Sequence, residues 1–117
     1  MKITIYQLPF QAAYQSHITK ENRQPITAKE VGYIELETFD RDECWHLGNW
    51  TAWTDEKPSN LHYEGRSFSS SEIFHDPSED KYHYAMPFGW YEANSVEEVI
   101  EYLDNYKFGQ ELKNKES

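Results

Sequence analysis

The sequence predicts an α+β fold. A mostly antiparallel sheet of about five strands packs against an N-terminal and a C-terminal helix in a single domain. Three observations point there. Period-2 alternation of apolar and polar residues recurs in several short segments. One longer stretch near each end carries apolar residues at helical spacing. The connections between segments are short and polar, which suits antiparallel neighbours better than the long crossovers of a parallel sheet.

The elements follow in chain order. "KITIYQL" reads as a strand, with Ile3 and Ile5 on one face and Thr4 and Tyr6 on the other. Pro9 suits the first position of a helix. Phe10, Ala13, Tyr14, His17 and Ile18 then form the apolar stripe of the N-terminal helix. "EVGYIELETF" reads as a second strand, with Ile34 and Leu36 facing away from Glu35 and Glu37. Asp40 is a helix N-cap with Glu43 three residues on, and Phe39 and Cys44 hold the positions of a hydrophobic staple. A short helix over 41–47 follows, with Cys44 and Leu47 on its buried face. Gly48 is placed to end it in a left-handed conformation. "NWTAWT" reads as a strand, which turns Trp50 and Trp53 to opposite faces and leaves at least one partly exposed.

"LHYEGRSF" gives a short strand broken at Gly65, and "SEIFHDPSEDKYHYAM" a hairpin that turns at Asp76-Pro77. "PFGW" reads as a bend. The clearest element is the C-terminal helix in "NSVEEVIEYLDNYKFG". Ser95 and Glu98 make a capping box, Val96, Val99, Ile100 and Leu103 the apolar stripe, and Gly109 the stop. Residues 1–109 are expected to form the domain and 110–117 a flexible tail.

Composition narrows the function. The chain has 117 residues and a formal net charge of −10. The excess is uneven. Residues 1–57 hold six Lys/Arg against nine Asp/Glu, and residues 58–117 hold five against twelve. With no basic patch, phosphate-rich partners are repelled, so neither direct nucleic-acid binding nor membrane binding is expected. No apolar run approaches the ~18 residues of a spanning helix, and no signal peptide is evident, so a cytoplasmic protein is expected. The single cysteine excludes an internal disulfide. Aromatic residues make up 16% of the chain, which argues against disorder.

Motifs for catalysis are weak. Cys44 and His46 are two apart, so their side chains diverge on a helix. Asp42 and Glu43 disfavour a thiolate, and a buried packing role is expected for Cys44. His17, His46, His62, His75 and His83 show no recognised metal-ligand spacing. Only His75 and His83, flanking the hairpin turn, are expected to approach each other. Glu35 and Glu37 share a strand face but mark no cleft. A phosphate loop and a nucleophile elbow are both missing. No metal or cofactor is expected.

Two features point to binding. Trp50, Trp53 and Trp90 are candidates for exposed anchors, since tryptophan is enriched at interface hot spots. Glu97, Glu101 and Asp104 recur at i, i+4 and i+7, flanked by Glu98, and with Glu92 upstream they form a candidate acidic ridge. The sequence therefore points to a non-enzymatic, protein-binding module, of the inhibitor or immunity/anti-defence kind, whose carboxylates mimic DNA toward a basic or nucleic-acid-binding partner. Two alternatives stand beside it: a small enzyme or metal-dependent protein using Cys44 and the histidines, and a ligand-binding module with an aromatic pocket. Size, acidity and the lack of a catalytic signature have the look of small accessory proteins of phages, plasmids and toxin–immunity loci. No family motif maps onto the residues.

Overall fold

Alternation in the first strand sets the frame of the structure. A computed structural model describes residues 1–8, 27–63, 68, 72–86 and 89–103. Strand β1, Lys2–Gln7, buries Ile3 and Ile5 completely. It runs antiparallel to β2, Lys29–Glu35, on one side, and to β4, Glu72–Asp76, on the other. Strand β3, Leu61–Tyr63, closes one edge against β2. Strand β5, Lys81–Met86, pairs with β4, and β6, Gly89–Ala93, forms the other edge. Among the described residues the order is β3-β2-β1-β4-β5-β6, and every neighbouring pair is antiparallel.

The sheet has six strands where about five were expected, and one of them is in a different place. "NWTAWT" is not a strand, because residues Trp50–Ala52 form a 3-10 turn directly after the short helix. The extra strand is β6, which begins in the stretch read as a bend. Its residues alternate only weakly, and pairing with β5 is what makes them extended.

The two faces carry separate cores. Ile3, Ile5, Ile34, Leu61 and Phe74 pack with Cys44 and Leu47 of α1, Arg41–Gly48. On the opposite face Ile73, Tyr84 and Ala93 pack with Val99 and Leu103 of a second helix, α2, over residues 96–103. Among the described residues a helix covers each face. The predicted helix over residues 10–18 and the tail over 110–117 lie outside the described residues. None of the described helices is long and apolar enough to cross a membrane.

One irregularity shapes the β3 edge. Ile5 pairs with Gly32 but Tyr6 pairs with Glu30, so β2 carries an extra residue, Val31. This bulge turns Val31 onto the α1 side, where it joins that core.

Candidate protein-interaction surface

Helix α1 begins as expected. The Asp40 carboxylate accepts from the backbone N–H groups of Asp42 at 3.0 Å and Glu43 at 3.2 Å, satisfying two free donors of the first turn. Phe39 packs against the core that buries Cys44. The helix end differs from expectation. Gly48 is not in a left-handed conformation. A Cβ there would lie 1.9 Å from the Phe68 ring, so what this position requires is the missing side chain. Asn49 closes the helix instead, donating from its side chain to the Trp45 carbonyl at 2.9 Å.

The chain then turns tightly, with the Thr54 N–H donating to the Trp50 carbonyl at 2.9 Å. Trp50 is half-buried against the α1-side core. Trp53 is 46% exposed, so one of the two is exposed as expected. Its indole is nevertheless held. Nε1 donates to the His46 carbonyl at 2.9 Å, and the ring lies parallel to the His46 imidazole, 4.3 Å between centroids with a 6° tilt.

Trp90, on β6, is half-buried against the same core, beside Phe74. The guanidinium of Arg41 lies over its ring, 5.3 Å from the centroid. Arg41 also reaches His83 on β5, with 3.4 Å from Nη1 to Nδ1. A guanidinium can only donate, so Nδ1 accepts and the His83 proton sits on Nε2. His83 is 6% exposed, and Nε2 has no hydrogen-bond partner among the described residues. The nearest carboxylate oxygen, on Glu92, is 3.9 Å away.

Sequence reading missed this cluster. It joins residues from α1, β5 and β6, and no local spacing signals it.

Burial, aided by Arg41, lowers the His83 pKa, while Glu92, Asp76 and Glu79 act in the other direction. The unfolded chain takes up the His83 proton near the ordinary value of ~6.5, and the folded chain resists it to lower pH. Stability present above that value is therefore lost as pH falls through it toward the folded pKa. Urea midpoints should drop between about pH 7.5 and pH 5.5, across the ordinary histidine value. The drop should be smaller in His83→Gln, and an equal drop would remove His83 as its source.

Helix α2 carries the other candidate residues. Ser95 Oγ accepts from the Glu98 N–H at 3.1 Å, and the Glu98 carboxylate accepts from the Asn94 N–H at 3.3 Å. Glu98 is thus engaged in capping. Glu97 and Glu101 are exposed. Asp104 lies outside the described residues. Glu92 is separated from them, since its β6 position opposite His83 puts it on the α1 face of the sheet. The predicted residues therefore divide between the two faces: Trp50, Trp53, Trp90 and Glu92 with α1, and Glu97, Glu98 and Glu101 with α2. Tyr91 stacks on Tyr102 of α2 at 3.8 Å, where burial and the Glu98 and Glu101 carboxylates raise its phenol pKa.

Cys44 is fully buried, and burial together with Asp40, Glu43 and Asp76 pushes its thiol up to about 12. At neutral pH it is a small apolar side chain rather than a nucleophile. His75 and His83 do not meet. His75 pairs with Tyr82 and His83 with Phe74, so the two imidazoles point to opposite faces. His75 instead contacts Asp80 at 2.8 Å. Among the described residues no three His, Cys, Asp or Glu side chains converge on a metal-sized site. Glu35 and Glu37 are exposed. No family model, curated protein or solved structure matches the chain.

Proposed function

We propose that the chain is a non-enzymatic, acidic protein-binding module. In this reading it is an inhibitor or immunity/anti-defence protein that works in the cytoplasm. It presents carboxylates to a basic partner, such as a nuclease or another nucleic-acid-binding protein, in place of phosphates. It touches neither nucleic acid nor membrane directly. The observation that carries the reading is helix α2. Val99 and Leu103 lock one side of it to the sheet, which leaves Glu97 and Glu101 exposed on a rigid support. A chain of net charge −10 adds a long-range field that speeds encounter with a cationic surface. Burial of Cys44 weakens the enzymatic alternative, because the thiol is neutral and enclosed.

The test is kinetic, on a partner captured from lysate of the source cells and then purified. Association should slow as salt rises and the Debye length shrinks from ~30 Å to ~8 Å. Glu97→Lys with Glu101→Lys should slow association by about tenfold at low salt. Glu35→Lys with Glu37→Lys should slow it less. Folding should hold, since exposed substitutions change stability by about 0.5 kcal/mol or less. An unchanged association rate in the folded α2 variant would reduce the acidic helix to a solvated face and exclude DNA mimicry.

A further inference from the structure

We infer that Trp53, backed by His46, is a docking site for a cationic side chain of the partner, an arginine by preference. This rests on the reading above that the partner is a basic protein, and it names the contact that anchors that partner. Among the described residues the only large apolar side chains with high exposure are Met1 and Trp53. An exposed indole is ordinarily free to change rotamer. This one is not, because its N–H is committed to the His46 carbonyl and one ring face is stacked on the imidazole. Little side-chain entropy is then lost when a ligand arrives.

The surroundings set the ligand's charge. Asp42 and Glu43 are exposed on α1, one turn before His46 and on the same side of the helix. Asp55 and Glu56 follow Trp53 closely in the chain and are also exposed. The cations nearest in sequence are committed elsewhere. Lys57 donates to the Tyr63 carbonyl at 3.0 Å, and Arg41 lies over Trp90. A partner cation over Trp53 would gain both the ring quadrupole and these carboxylates. A neutral stacking ligand such as a sugar would gain nothing from the charge. The molecule already uses the same contact internally, where Arg41 covers the face of Trp90. Trp90 and half-buried Trp50 are thereby unsuited to the role, and Trp53 remains.

The experiment titrates the folded protein with hexa-arginine at low salt, with hexa-citrulline, its uncharged isostere, as control. Hexa-arginine should bind, and hexa-citrulline should bind at least about tenfold more weakly. Trp53→Leu keeps apolar bulk at an exposed position and removes the ring. It should weaken hexa-arginine about tenfold with the circular dichroism spectrum unchanged, and Trp53→Phe should recover part of that loss. Equal affinity of wild type and Trp53→Leu would overturn the inference, as would hexa-citrulline binding as tightly as hexa-arginine. The variant Glu97→Lys with Glu101→Lys separates the two ideas. If it alone abolishes binding, α2 is the contact and the Trp53 site is refuted while the acidic reading stands. If hexa-arginine does not bind wild type at all, the Trp53 site is refuted too. The α2 reading then depends on its own kinetic test.

Discussion

Phe74→Ala should destabilise the protein by about 3–5 kcal/mol, the usual cost of truncating an enclosed phenylalanine. Phe74 lies on β4 near the middle of the sheet and is 0% exposed. Its ring packs beside Phe68 at 5.6 Å and Trp90 at 5.8 Å, under the helix that buries Cys44. Removing the ring leaves a hole bordered by elements that cannot all collapse into it. Domains of this size have total stabilities of ~5–15 kcal/mol, so the variant should lose a large share of its stability and unfold at a clearly lower urea concentration. Phe74→Leu keeps most of the volume and should cost less than about 1.5 kcal/mol. Urea denaturation followed by far-UV circular dichroism measures both. A loss below about 1 kcal/mol for Phe74→Ala would mean that the α1-side core is not what holds the sheet.

Gly32→Ala should cost about 3 kcal/mol, through strain and a clash that side-chain motion cannot relieve. Gly32 has φ of +157°, and an added Cβ would lie 2.1 Å from the His62 carbonyl oxygen and 2.8 Å from the Tyr63 Cα. Both are backbone atoms of β3, which among the described residues pairs only with β2. The edge strand must move away. Hydrogen exchange should show early loss of protection in Leu61–Tyr63, ahead of β4 and β5. Gly89→Ala is the control. Gly89 also has positive φ, +144°, but a Cβ there meets nothing within 4 Å. It should carry only the backbone strain, about 1–2 kcal/mol. Equal costs at the two glycines would show that the clash with β3 is absent.

Much of the fold could be read locally. The faces of β1, the Asp40 and Ser95 caps, the apolar stripe of α2 and the hairpin between β4 and β5 all follow from contacts within a few residues. The errors have identifiable physical causes. "NWTAWT" is rich in residues that favour strands, yet the Asn49 cap and the Trp53–His46 hydrogen bond hold it in a turn. Gly48 matches a left-handed stop, but its reason for being glycine comes from Phe68, twenty residues away in the chain. The strand β6 has no strong pattern of its own and depends on its partner.

The candidate surfaces divide in the same way. The exposure of Glu97 and Glu101 was readable from periodicity, whereas that of Trp53 comes from a 3-10 turn and not from the strand alternation expected there. The sequence by itself determined the acidity, the α+β class, the capped helix starts and the enclosed place of Cys44, because each depends on composition or on spacing within one or two turns. Tertiary structure alone decided which face each helix covers. It therefore decided that Glu92 parts from Glu97 and Glu101, that Arg41 meets His83 and Trp90, and that Trp53 rather than Trp50 faces solvent. A strand's alternation says which residues share a face but not which helix will cover it. That choice follows from strand order and pairing between distant segments, and these are settled only when the whole sheet assembles.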